Sequence, residues 1–168
     1  MSTEWMGRYR ELTSSLVMHC NIVSKVSNQK SDIGEGVKLT PLEWQILERV
    51  IEWKDEYYSM TDIAKTLGIP QSSFSRFANT LKRYQLIEKY RTTDNKKSVI
   101  LRPTEKAERL YSNSKKSGSS IIKHFKDFYA QLDSISDEDL NTFVKALKSF
   151  SVALAEYSNN KSLIKIEE

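Results

Sequence analysis

The chain has 168 residues, of which 39% are hydrophobic and 29% charged, with five glycines and three prolines. This composition supports a packed core and excludes a low-complexity or largely disordered chain. No apolar run approaches the roughly 18 residues of a membrane helix, and the opening residues have neither the basic nor the apolar segment of a signal peptide. The single cysteine, Cys20, rules out an internal disulfide, so a cytoplasmic protein with no membrane partner is expected.

The net charge of +4 is unevenly spread. Residues 60–100 hold eight Lys/Arg against three acids, while the remainder sums to −1. A positive surface concentrated in the central quarter of a chain suits phosphate, because neutralising phosphates releases condensed counterions. With two histidines and one cysteine, scattered at His19, Cys20 and His124, no metal site is expected, and no cofactor motif is present. No phosphate-binding loop, dinucleotide fingerprint or nucleophile–base–acid set can be assembled, so an enzyme is not expected.

In chain order, Trp5, Tyr9, Leu12, Leu16, Cys20 and Val23 recur at helical spacing and predict a first helix over residues 3–27. Residues 28–38 carry two glycines and little periodicity and read as a loop. Thr40-Pro41-Leu42-Glu43 combines an N-cap hydroxyl, a proline at the first helical position and a carboxylate placed for a capping box, with Ile46, Leu47, Val50 and Ile51 as the inward face that follows. A short helix from Ser59 to Leu67 is capped by Ser59 or Thr61 and ends at Gly68, which suits a left-handed C′ position. Only Gly68-Ile69-Pro70-Gln71 separates it from an amphipathic segment over Ser72–Tyr84, the spacing of a helix-turn-helix.

That second helix has two distinct sides. At about 100° per residue, Phe74, Phe77, Ala78, Leu81 and Tyr84 fall on one side. Ser72, Ser75, Arg76, Asn79 and Arg83 fall on the other, flanked by Ser73, Thr80 and Lys82, with no acid among them. Hydroxyls and guanidinium groups bond phosphate oxygens, and Arg and Asn also make bidentate contacts to guanine and adenine edges. Residues 86–93 and 98–102 then read as two strands joined through Asp94-Asn95-Lys96-Lys97, a hairpin with two cations near its tip. A long helix capped by Thr104 is expected to run to about Leu132, with a kink or break within residues 112–120. A final helix capped at Ser136 carries the stripe Leu140, Phe143, Val144, Leu147, Phe150 and Leu154, and the tail beyond Ser158 is expected to fray.

The order helix, helix, helix-turn-helix, wing, long helix, terminal helix resembles the MarR family of winged helix-turn-helix transcription regulators over about residues 5–157. The resemblance is carried by Leu67 through Leu81, by Leu86-Ile87-Glu88, by Asp94-Asn95-Lys96-Lys97 and by Leu101 through Lys106. Three positions depart from the family pattern: Gln85 and Ala107 stand where glycine is usual, and Lys96 where the wing usually has arginine. The resemblance implies a mainly α fold with a small β-hairpin wing. A winged helix-turn-helix domain over residues 39–103 would join a helical dimerisation region over 1–27 and 104–158, with 159–168 as a tail.

It further implies a homodimeric repressor of double-stranded DNA, reading a pseudo-palindromic operator with helix 72–84 in the major groove and wing 90–101 beside it. Arg76 and Asn79 are the expected base readers; Ser72, Ser73, Ser75, Thr80 and Arg83 the phosphate contacts of the helix; Lys96 and Lys97 the cations of the wing, Arg91 the cation at its base, and Asp94 the residue that holds its turn. A small-molecule effector is implied as a partner, and no convergent polar set names it. Some family members sense oxidants through a cysteine in the first helix, but Cys20 lies on the apolar stripe, where burial without a cation keeps a thiol protonated and inert. The competing reading is a winged-helix protein–protein interaction module, against which the acid-free helix face argues.

Overall fold

A computed structural model of the chain describes residues 3–93, 97–117, 126–127 and 129–159. The chain divides into two compact units, Met1–His124 and Phe125–Glu168.

In the first unit, a 3-10 segment over Thr3–Tyr9 precedes α1 (Arg10–Val26), with Gly7 at φ 48° interrupting regular helix. Two strands follow, β1 (Ser31–Gly34) and β2 (Val37–Leu39), then α2 (Pro41–Glu52), α3 (Met60–Thr66) and α4 (Gln71–Arg83). Strands β3 (Ile87–Tyr90) and β4 (Ile100–Pro103) form the wing and lead into α5 (Glu105–Ser117). The architecture is mainly helical with a winged helix-turn-helix at its centre, as the sequence predicts.

The helix boundaries follow from local chemistry. The Thr40 hydroxyl accepts from the Glu43 amide at 3.2 Å while the Thr40 amide donates to Glu43 Oε2 at 2.9 Å, a closed capping box with Pro41 at the first helical position. Of the two candidate caps for α3, Ser59 is used: it accepts from the Asp62 amide at 3.2 Å, and its own amide donates to the Asp62 carboxylate at 2.9 Å. At the end of α3, Gly68 adopts φ 64°, the Gly68 amide donates to Lys65 O and the Ile69 amide to Ala64 O. This paired closure satisfies two terminal carbonyls and redirects the chain into α4 within four residues. Both strands of the wing are antiparallel in the register Ile87↔Pro103 to Tyr90↔Ile100. A bridge from Ser59 to Ile100, with the Met60 amide donating to Val99 O at 2.8 Å, ties the wing to the start of α3.

The core lies between these elements. Trp44, Ile46 and Leu47 of α2, Ile63 of α3, and Phe74, Ala78 and Leu81 of α4 are at most 2% exposed, with Leu86, Ile87 and Leu101 beside them. Ile51, expected inward, is only half-buried, as are Phe77 of α4 and Tyr84, which caps its C-terminus. Removing this apolar area from water is the main stabilising contribution, and it fixes α4 by one side only.

Residues 28–38 are not an irregular loop as the sequence suggested. Ser31–Leu39 form a hairpin whose tip, Glu35-Gly36, has φ 51° and 74°. Two consecutive positive φ values make the turn whose twist matches paired strands. Ile33, Val37 and Leu39 are buried, Ser114 Oγ donates to Ile33 O at 3.3 Å, and Arg109 pairs with Glu35, so the hairpin is seated on α5. Strands of four and three residues are too short for periodicity to reveal.

The predicted long helix is helical from Glu105, with the Thr104 hydroxyl accepting from the Ala107 amide at 3.2 Å. Of the stretch where a kink was expected, residues 112–117 are regular helix; residues 118–120, with Ile121, Phe125 and Phe128, lie outside the described residues. In the second unit, α6 (Asp137–Asn159) is capped at Ser136, whose hydroxyl accepts from the Asp139 amide at 3.1 Å, and three acids occupy its first turn beside the positive helix terminus. The tail beyond Asn159 lies outside the described residues.

Candidate nucleic-acid interface

Because Phe74, Ala78 and Leu81 anchor α4 in the core, the opposite side of the helix faces outward. Ser72, Ser75, Arg76, Asn79, Thr80 and Arg83 together line one shallow, open depression along the helix. These are six of the seven α4 residues expected from sequence; the seventh, Ser73, is half-buried at the margin. No acid lies in the first turn of α4, Lys82 and Arg83 sit in its last, and Pro70 precedes it without a side-chain cap. The surface therefore presents hydroxyl, amide and guanidinium groups beside a helix terminus of positive partial charge, a combination suited to anionic oxygens.

Individual side chains differ in how firmly they are held. Arg76 lies with Cζ 5.2 Å from the Phe77 ring centre, a half-buried aromatic platform. The Thr80 hydroxyl turns back to donate to Arg76 O at 3.4 Å, a weak bond that an incoming acceptor can replace. Asn79 Oδ1 accepts a hydrogen bond from Lys89 Nζ at 2.8 Å. Lys89 belongs to β3 and was not among the residues expected from sequence. Its strand position put it outside a reading confined to one helix face, and only the packing of β3 against α4 reveals the pair.

At the wing, Arg91 lines an open depression together with Tyr57, Tyr90, Thr92, Thr93, Ser98, Ile100 and Arg102. Arg102 donates to Glu56 O at 2.6 Å and lies over the Tyr57 ring at 5.4 Å. Tyr90 donates to the Glu88 carboxylate, which holds the phenol pKa above its ordinary value. Lys97 is exposed near the far end of the hairpin. Asp94, Asn95 and Lys96 lie outside the described residues.

Cys20 departs from the sequence reading. It is exposed, as is most of α1, because the apolar stripe of that helix is not buried within the chain. Among the described residues no group of acids, histidines and cysteine is arranged to hold a metal ion, and no helix is long and apolar enough to cross a membrane.

Residues 39–107 match the family model described as a winged helix DNA-binding domain. That span starts at β2, contains both helices of the turn and the whole wing, and ends in the first turn of α5. Among solved structures, a MarR/EmrR family transcriptional regulator from Acinetobacter sp. ADP1 superposes with a TM-score of 0.63 at 18% identity, covering 88% of this chain and 96% of that one. The chain has the MarR fold. A second structure with this fold, from Listeria monocytogenes, is a putative MarR family transcriptional regulator complexed with 26mer DNA; it has a TM-score of 0.60 at 22% identity, with 91% and 97% of the two chains covered. Streptococcus pneumoniae FabT in complex with DNA has a TM-score of 0.54 at 17% identity, covering 89% and 97%. No curated protein matches by sequence.

The MarR fold accounts for how two departures from the family pattern are accommodated. Gln85 takes the left-handed position with φ 58°, its amide donating to Lys82 O at 2.9 Å and the Leu86 amide to Leu81 O at 3.0 Å. Ala107 is fully buried against the core. Neither residue disturbs the placement of α4.

Proposed function

We propose that this protein is a sequence-specific double-stranded DNA-binding transcription regulator of the cytoplasm, a repressor, acting as a homodimer on a pseudo-palindromic operator. The observation that carries the reading is the outward face of α4: six polar or cationic side chains and no acid, on a helix held by its opposite side. In this reading α4 enters the major groove, with Arg76 and Asn79 at base edges and Ser72, Ser73, Ser75, Thr80 and Arg83 at phosphates. The wing lies alongside, with Arg91 at its base and Lys96 and Lys97 near its tip, and Asp94 holds its turn. The neighbours crystallised with DNA support this use of the fold.

Exposed apolar surface supports the dimer. On α1, Leu12, Val17, Met18 and Ile22 are 53–61% exposed, and on α6, Phe143, Phe150, Val152 and Leu154 are 48–58% exposed. Surfaces of this kind mark an interface rather than a solvated face, and a second copy of the chain is the partner that covers them. The helical dimerisation region is accordingly residues 1–27 and 104–158, flanking the winged domain at 39–103. Two-fold symmetry places the recognition helices about 34–36 Å apart, one turn of DNA. A small-molecule effector that alters DNA affinity completes the proposal.

The test is fluorescence anisotropy of the protein and its Arg76→Ala variant on the DNA upstream of its own gene. Loss of a base contact raises the binding free energy by about 1–3 kcal/mol. Equal, weak binding by both proteins would favour an interaction module that keeps the fold without reading DNA.

A further inference from the structure

The Lys89–Asn79 pair decides which way the Asn79 amide faces, and hence what Asn79 can recognise. An ammonium group has three donors and no acceptor, so the atom 2.8 Å from Lys89 Nζ must be the amide oxygen. The Asn79 NH₂ group is then the end directed away from β3. Both side chains are exposed, and Asn79 lines the outward depression of α4. In water the pair is a modest interaction, but it strengthens once a ligand covers the surface and lowers the local dielectric.

We propose that Lys89 is a positioning residue that makes Asn79 a hydrogen-bond donor, so that Asn79 selects guanine over adenine. The inference rests on the DNA-reading role of α4 proposed above. Free asparagine suits adenine, because its oxygen accepts from N6 while its nitrogen donates to N7. Lys89 occupies one lone pair of the oxygen, and an N6 amino group approaching the other brings its partly positive hydrogens beside the ammonium charge, an electrostatic cost that guanine O6 does not meet. Guanine presents only acceptors, N7 and O6, in the major groove, which match the outward NH₂ group. The strand β3 thereby sets the base preference of a residue on the helix. The charge of Lys89 and the amide of Asn79 come from different elements, so neither would specify this alone.

The experiment is selection of bound duplexes from a library with randomised half-sites, using the wild type, Lys89→Met, Asn79→Ala and the double variant. Lys89→Met keeps the apolar stem and removes the donor. Wild type should prefer guanine at one base pair per half-site. Lys89→Met should shift that pair towards adenine by about 3- to 10-fold, the range expected when one side chain loses its ordering. In the Asn79→Ala background, Lys89→Met should leave base preference unchanged. A guanine preference that survives Lys89→Met, or an equal shift in the Asn79→Ala background, would overturn the positioning role while leaving DNA reading intact. A wild type that selects no sequence would overturn the DNA-reading role and the role of Lys89 with it.

Discussion

Gln85 shows how a single residue can carry strain without changing the fold. A side chain at φ 58° costs about 1 kcal/mol relative to glycine, because Cβ crowds the following carbonyl. The two hydrogen bonds that close α4 around it hold it there. Gln85→Gly should therefore raise stability by up to about 1 kcal/mol, read as a higher urea midpoint at an unchanged slope; a lower midpoint would show that the Gln85 side chain supplies more than it costs. Ser59 is the opposite case, a residue at its preferred position. Ser59→Ala should lower stability by about 0.5–2 kcal/mol, the range for losing an N-cap, in the same assay.

Its partner Asp62 titrates predictably. The Ser59 hydroxyl, then the Ser59 amide, hold its carboxyl below the ordinary carboxylate range. A lowered folded-state value means that the contribution is present above the unfolded pKa, about 4, and is lost as pH falls through the folded value. The stability difference between wild type and Asp62→Asn should thus be full near pH 7 and shrink below about pH 4. A difference that grows on acidification would contradict this sign.

At the scale of elements, legibility in the sequence tracked local chemistry. The caps at Thr40, Ser59, Thr104 and Ser136, the left-handed Gly68 and the inward trio Phe74, Ala78 and Leu81 are all set by residues no more than four positions from their nearest partner, so sequence alone exposes them. The hairpin β1–β2 is not legible in the sequence because its place comes from packing between elements, β1 with buried Ile33 on distant α5 and β2 with Val37 and Leu39 on α2, not from an internal pattern. Lys89 was missed for a related reason: its significance is a contact between a strand and a helix ten residues apart. Cys20 is exposed although it lies on the apolar stripe of α1, because a helical stripe shows that a face is apolar, not whether the same chain covers it.

The stripe on α6 carries its own prediction. Phe143 is 52% exposed within the chain, so Phe143→Asp should leave the monomer folded by circular dichroism while sedimentation velocity shows loss of the dimer. A charged variant that remains fully dimeric would remove α6 from the interface.

For the whole molecule, the proposed function needs a one-sided helix, a wing and a two-fold assembly to read one sequence together against a background of general phosphate attraction. The two contributions separate under salt. Neutralising phosphates gives a log–log slope of about −0.9 per contact, whereas base readout shows as a difference between sequences at fixed salt. The deciding measurement is therefore DNA affinity across a salt series on the upstream duplex and on a shuffled duplex of equal length and composition. The account predicts steep, similar slopes on both, with the upstream duplex bound more tightly by a factor of 10³ or more, of the order expected for specific recognition. Equal affinity for the two duplexes at every salt concentration would contradict it, leaving α4 a surface for charge and not for sequence.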